Sequence, residues 1–275
     1  MTMLEIFEHA ALAAGAAIME VYRDGATVST KADHSPVTEA DERAEEIILT
    51  HLRRHCPDIA VVAEESVAAG RVPETSDRFI LVDPLDGTKE FIARRDEFTV
   101  NIALIEGGIP VAGIVYAPAL GVAYVGDRQG ARRMTIGADF TVEDRQAIAA
   151  QPVADHPVAV ASRSHNTPET DDFLASAKVS DICSIGSSLK FCLLAEGKAD
   201  VYPRFGRTME WDTAAGDAVL RGAGGSTVTL DGKPLAYGKR EQLHDSDFAN
   251  PHFIAWGRRD GEATENDLKV SFGRD

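Results

Sequence analysis

Leu4, Phe7, Ala11, Ala14, Ile18 and Val21 recur at steps of three and four, so residues 2–23 are expected to form an amphipathic helix stopped near Gly25. SPVTEADERAEEIILTHLRRH predicts a second helix, with Thr38 as N-cap, acidic residues in the first turn, and Ala44, Ile47, Ile48 and Leu52 on one face. IAVVA at 59–63 is strand-like and ends on Glu64 and Glu65. From 78 to 126 the runs RFILVD, FTVNIALIE, VAGIVYAP and GVAYVGD, separated by turns, predict an antiparallel meander. Residues 126–156 are weakly patterned and read as a junction. Strand and helix then alternate: PVAVAS, a helix near 168–177, DICSI, the helix SSLKFCLLAEG, ADVYP, the helix TAAGDAVLRGAGG, and STVTL. The expected division is an N-terminal α+β lobe over 1–150, a C-terminal α/β lobe over 151–255 and a polar tail over 256–275.

With 275 residues, 44% hydrophobic and 26% charged, the chain is globular and can bury a sizeable core. Lys and Arg total 28 against 44 Asp and Glu, a formal charge of −16, which disfavours nucleic-acid polymers and anionic membranes as partners. Any anion handled here must meet locally placed cations. Cys56, Cys183 and Cys192 form no CxxC pair, so neither a disulfide framework nor a thiolate zinc site is expected, and the cytoplasm is the default location. The apolar stretch AALAAGAAIM at 10–19 follows Glu5 and Glu8, not the basic residues of a secretory signal, and no integral membrane segment is expected.

LVDPLDGTKEF at 81–91 places Asp83 and Asp86 in one proline-stiffened turn. A lone Asp-Gly is usually a plain turn, but two carboxylates sharing a small volume repel, and a bound cation relieves that most simply. The Leu85 carbonyl lies between them as a third oxygen ligand, and Gly87 and Thr88 open a helical turn whose free N–H groups favour phosphate. Glu64, Glu65 and Asp212 stand in similar positions, although Asp212 also fits a plain N-cap and Glu65 a solvated charge. Oxygen ligands without paired His or Cys select a hard cation, Mg²⁺, with Mn²⁺ as a substitute.

AEES at 63–66, DPLDGT at 83–88 and WDTAAG at 211–216 resemble the signatures of the inositol monophosphatase superfamily of Mg²⁺-dependent, lithium-sensitive phosphatases. Within it, LVDPLDGTKEFI, EFTVNIALI, GIVYAP, SRSH, SIGSSLKFCLLAEGKAD and YPRFG resemble the CysQ-type 3'(2'),5'-bisphosphate nucleotidases, a likeness running from the first helix to about residue 253. The resemblance implies an α/β fold, a layered αβαβα sandwich. It further implies two or three Mg²⁺ ions held by Glu64, Asp83, Asp86, Asp212 and the Leu85 carbonyl, with Glu65 supporting the third. Thr88, hydrogen-bonded to Asp41, would orient and deprotonate the attacking water without a phosphoenzyme; Asp41 also suits its helix as a first-turn charge.

The implied substrate contacts are Glu64, Gly87, Thr88 and Asp212 near the reacting phosphate, Ser187, Lys190 and Arg204 at the second phosphate, and His165 beside base or ribose. Ser187 and Lys190, at i and i+3, are expected on one face near a helix start. An isolated Lys, Arg or loop His is more often a solvated surface residue, and only the motifs raise these three above that. The implied reaction removes the 3'-phosphate of adenosine 3',5'-bisphosphate to give AMP, extending to PAPS, in sulfate assimilation. The rival within the superfamily is an inositol-1-phosphate or broader sugar phosphatase. A monomer or homodimer is expected, cytoplasmic or peripheral on the inner membrane.

Other classes fit less well. The D-x-x-D spacing is not the D-x-D-x-T of haloacid dehalogenase phosphatases, no GxxxxGK[ST] occurs, and GAGGST at 222–227 lacks GxGxxG spacing. A non-catalytic sensor on the same fold would be expected to have lost a ligand or the Thr/Asp pair, and all are present.

Overall fold

The computed structural model describes residues 1–25, 28–30, 36–161 and 167–259. Helix α1 (Met3–Asp24) starts with a reciprocal cap, in which Thr2 accepts from the Glu5 amide while the Glu5 carboxylate accepts from the Thr2 amide. The ribbon of β1 (Val28–Thr30) and β2 (Pro36–Thr38) leads into α2 (Glu39–His55). Then come β3 (Ala60–Ala63), the short α3 (Glu64–Ala68), β4 (Arg78–Asp86) and the short α4 (Thr88–Ile92). The meander comprises β5 (Thr99–Glu106), β6 (Ile109–Ala117), β7 (Val122–Asp127), β8 (Gly130–Ile136) and β9 (Val142–Ile148). Strands β3 to β9 form a seven-stranded sheet in chain order, antiparallel except at β3–β4.

Beyond it lie β10 (Val158–Ala161), α5 (Pro168–Ser176), β11 (Asp181–Ser184), α6 (Leu189–Ala195) and β12 (Val201–Arg204). Helix α7 (Glu210–Gly222), β13 (Ser226–Thr229) and β14 (Phe253–Trp256) complete a five-stranded sheet ordered β11-β10-β12-β14-β13. Among the described residues no helix is long and apolar enough to cross a membrane.

Alternation along the strands builds the layers. On β4, Ile80 and Val82 point to the cluster under α1 and α2, while Phe79 and Leu81 point to the opposite cluster with Phe191, Trp211 and Leu220 of α6 and α7. RFILV reads as a continuous apolar run because helices cover both faces of the sheet. Val160, Tyr202 and Phe253 close the far side of the α6/α7 layer, and the other face of their sheet holds Ala159, Val201 and Ile254 against Phe173 and Leu174 of α5. The order is helix pair, sheet, helix pair, sheet, helix: an αβαβα sandwich, as expected.

Two features depart from the sequence reading. The span 126–156 is not a junction but mainly the β8–β9 hairpin, which extends the large sheet. Strand β9, VEDRQAI, is an edge strand exposed over most of its length, so no buried face imposes the period of two that reveals a strand. Strand β14 was also unforeseen; it lies between β12 and β13, antiparallel to both. The tail reading applies largely to residues 260–275, outside the described residues.

Helix α7 is seated unusually deep. Gly113 and Gly126 face each other across β6 and β7, and the helix's alanines pack onto this bare patch. A Cβ on Gly126 would lie 2.5 Å from Val219 Cα and 2.7 Å from the Ala218 carbonyl, both backbone atoms that cannot rotate aside. Gly126→Ala should therefore force α7 off the sheet, costing about 1–3 kcal/mol. At about 2–4 °C per kcal/mol for a chain of this size, calorimetry should show a clear fall in Tm. An unchanged Tm would refute the tight seating.

Candidate active site

The end of β4 carries the first group of side chains. In a regular strand residues 83 and 86, an odd number apart, would face opposite sides of the sheet. The pairing of β4 with β5 shifts between Asp83↔Asn101 and Asp86↔Thr99, a bulge that takes up one extra residue and re-aims the strand end. Asp83 Oδ1 accepts from the Leu85 amide at 3.0 Å, and Asp86 Oδ2 accepts from the Ser188 amide at 2.8 Å. Gly87, at φ +93°, turns the chain into α4, where a Cβ would meet the Glu97 carbonyl at 3.2 Å.

Asp41 is the third residue of α2 and makes its capping box: Oδ2 accepts from the Thr38 amide at 2.8 Å and from the Thr38 hydroxyl at 2.7 Å. Its other oxygen accepts from Thr88 Oγ1 at 3.2 Å, so one carboxylate serves both helix and site. Thr88 Oγ1 also lies 3.3 Å from the Leu85 carbonyl. Asp212 is not an N-cap; Met209 holds that position, and Asp212, in the first turn of α7, accepts from the Met209 amide at 2.8 Å.

Glu64 and Glu65 open α3, whose first turn is held by Glu45 of α2. Glu45 accepts from the Glu65 amide at 2.8 Å and from the Ser66 hydroxyl at 2.6 Å.

These segments border a cleft of about 300 Å³ whose lining joins an acidic wall, Glu64, Asp86 and Asp212 with Thr88, to a cationic one, Lys190 and Arg204 with Ser187. Asp83, 2% exposed, lies beneath the lining. Burial first, then the charges of Glu64, Asp86 and Asp212, push the Asp83 carboxyl well above the usual carboxylate range. Burial pushes Asp86 up to about 6 against the pull of Lys190, and burial followed by Asp86 and Glu64 pushes Asp212 up to about 8.

Among the described residues no three acidic, histidine or cysteine side chains converge tightly enough to enclose an ion unaided. The donor chemistry nevertheless suits a hard divalent cation: the carboxylates repel one another, and Asp83, Asp86 and Asp212 are all-oxygen donors each oriented by a backbone N–H.

The cationic wall differs from a simple helix face. Ser187 precedes α6 in the left-handed region at φ +48°, and its buried hydroxyl has no partner in the protein. Lys190, 6% exposed, donates to the Ser187 carbonyl at 2.9 Å and sits 5.6 Å from the Tyr202 ring centroid. Burial pushes its ammonium down to about 8 although Asp86 favours the charged form. Arg204 donates to the Arg207 carbonyl at 3.2 Å, leaving a buried Nε without a protein partner. His165 lies outside the described residues. Sequence reasoning missed Glu45, Asn101, Ser188 and Tyr202, whose partners lie far away along the chain.

A profile of the inositol monophosphatase family matches residues 1–256. The chain belongs to the inositol monophosphatase family. It is 48% identical over 243 residues to a protein named 3'(2'),5'-bisphosphate nucleotidase CysQ from Escherichia coli O157:H7, covering 87% of this chain and 94% of that one. It is 48% identical over 254 residues to the protein of that name from Salmonella typhimurium, covering 91% and 98%. The crystal structure of CysQ from Bacteroides thetaiotaomicron superposes with a TM-score of 0.75 at 40% identity, covering 93% of this chain and 97% of that one. An inositol monophosphatase from Anabaena superposes at 0.73 with 25% identity, covering 97% and 94%. Members named for different substrates thus share this fold, and the cleft walls must decide between them.

The raised carboxyls give a pH test on protein freed of divalent ions. Asp212 moves from 3.8 to about 8 on folding, so between those values the folded chain holds a proton that the unfolded chain has lost. That contribution is fully present below about 4 and lost as pH rises through 8, with a slope of about 1.4 kcal/mol per pH unit. In EDTA, wild-type stability should fall more steeply from pH 5 to 8 than that of Asp212→Asn, measured by urea unfolding. Parallel pH profiles would exclude a raised Asp212.

Proposed function

We propose that the chain is a metal-dependent 3'(2'),5'-bisphosphate nucleotidase that hydrolyses the 3'-phosphate of adenosine 3',5'-bisphosphate to AMP and phosphate. PAPS is a second substrate in this reading, and the cellular role is in sulfate assimilation. The observation that carries it is the pairing of two unlike walls in one cleft: crowded carboxylates on one, and a hydroxyl, an ammonium and a guanidinium with unspent hydrogen-bonding capacity on the other. A bisphosphate nucleotide needs both, one wall for the phosphate that reacts and one for the phosphate that anchors. An inositol monophosphate has no charge to offer the second wall. The relatives named above support the same reading.

Glu64, Asp83, Asp86, Asp212 and the Leu85 carbonyl would hold two or three Mg²⁺ ions, replaceable by Mn²⁺, with Glu65 supporting the third. When bound, such ions stabilise charge on the phosphoryl oxygens and lower the cost of forming hydroxide near neutral pH. Thr88 Oγ1, its proton directed to Asp41, presents a lone pair to the attacking water. As hydroxide adds to phosphorus, the water's proton passes to Thr88 and the threonine proton to Asp41. The departing 3'-oxygen takes its proton from solvent. Gly87 and Thr88 offer backbone N–H groups to the reacting phosphate, Ser187, Lys190 and Arg204 bind the 5'-phosphate, and His165, outside the described residues, is assigned to the base or ribose by its motif alone.

Two charge-assisted contacts to the second phosphate should favour adenosine 3',5'-bisphosphate over inositol 1-phosphate by about 100-fold or more in kcat/KM. The measurement is a phosphate-release panel with Mg²⁺ and with EDTA; equal or reversed preference would sink the substrate assignment. Lys190→Met should lower kcat/KM for the bisphosphate about 10–100-fold while changing that for a monophosphate far less. Equal losses on both would move Lys190 from the second phosphate to the common site.

A further inference from the structure

Ser188 ties the Asp86 carboxylate to the backbone of Asp212. Its amide donates to Asp86 Oδ2 at 2.8 Å, across 102 residues of sequence, and its hydroxyl donates to the Asp212 carbonyl at 2.6 Å. Asn101 Nδ2 donates to the same hydroxyl oxygen at 3.1 Å, and Asn101 stands directly opposite Asp83 on the neighbouring strand. The chemistry fixes every proton in this chain. A carbonyl only accepts, so Ser188 must donate to Asp212, and Asn101 must then turn its amide nitrogen to Ser188. Ser188 and Asn101 are 2% and 1% exposed, so water does not compete for these bonds.

We propose that Ser188 is a positioning residue that sets the separation of the Asp86 and Asp212 carboxylates, with Asn101 locking its hydroxyl. Left to their charges the two carboxylates would move apart. Ser188 holds the side chain of one and the backbone of the other from a single residue, while the Met209 amide fixes the Asp212 side chain at the same turn. The neighbouring backbone also depends on it. Ser187 occupies a left-handed conformation unfavourable for a non-glycine residue, and is clamped between Ser188 and Gly186, whose amide donates to Glu97 at 2.9 Å. Ser188 therefore registers the acidic wall against the cationic wall. This inference rests on the functional reading above for the identity of the cation the wall receives.

The test is Mn²⁺ binding followed by the electron paramagnetic resonance signal of the free ion, which needs no turnover. Ser188→Ala keeps the backbone amide and removes the hydroxyl. It should weaken Mn²⁺ binding and the Mg²⁺ activation constant about 3–10-fold, the worth of one buried hydrogen bond. KM for the nucleotide at saturating Mg²⁺ should stay within about twofold, because the anion contacts are untouched. Asn101→Ala should act in the same direction but more weakly, and the double variant should resemble Ser188→Ala alone. Wild-type affinity for Mn²⁺ in Ser188→Ala, or additive effects in the double variant, would overturn the proposal. A lowered Tm in EDTA with unchanged Mn²⁺ affinity would assign Ser188 a purely structural role and overturn it equally. Wild-type protein that binds no Mn²⁺ would instead bring down the metal reading itself.

Discussion

Charge repulsion among carboxylates in one buried volume is the constraint around which the rest is arranged. Burial and mutual repulsion raise Asp83, Asp86 and Asp212 together. A fold that needed only stability would not assemble them, since apolar residues of similar size would pack at less cost. Each carboxylate is held by a backbone amide: Asp83 by its own bulge, Asp212 by the start of its own helix α7, and Asp86 by the distant turn before α6. The charge of Glu64 adds to the repulsion at Asp83.

Holding the carboxylates against that repulsion demands elements that cannot slide. The α6/α7 layer is clamped between two sheets, and α7 approaches the large sheet closely because Gly113 and Gly126 offer no side chains and the helix offers Ala215 and Ala218. Gly216 does the same for α6, where a Cβ would lie 2.6 Å from the Phe191 ring. At the start of α7, buried Glu210 accepts from the amides of Gly238 and Lys239 at 2.6 and 2.9 Å, and Asn250 donates to Thr208, Met209 and Thr213. The helix that presents Asp212 is thus fixed along its length by close packing and at its start by satisfied polar groups.

What was legible in the sequence follows from how local each cause is. The stop of α1 at Gly25, the Thr38 cap of α2, the apolar stripes and the strands of the meander are decided within a few residues, and they were readable. DPLDGT stood out because it packs two carboxylates into one turn, whereas WDTAAG gained meaning only through the family resemblance. Ser188, Asn101 and Glu45 were not, because a buried serine, asparagine or glutamate has meaning only through its partner, and those of Ser188 and Asn101 lie 24 to 102 residues away. The β8–β9 hairpin escaped for the opposite reason: its outer strand buries so little that no pattern is needed. Ser187 was placed near a helix start by its spacing from Lys190, whereas it precedes the helix in a left-handed kink with its hydroxyl buried beside the cleft.

That kink bears on how one fold serves different phosphate esters. The acidic wall is assembled from strand ends and helix starts that the whole sandwich supports, so altering it would disturb the core. The cationic wall rests on one short turn, residues 185–188, and two side chains, Lys190 and Arg204, set on α6 and β12. Changing Ser187, Lys190 or Arg204 would alter which second group the cleft accepts, while Ser188 keeps its amide on Asp86. The turn that carries Ser187 also supplies the Ser188 amide to Asp86, so the cationic and acidic side chains of the cleft meet through two adjacent residues.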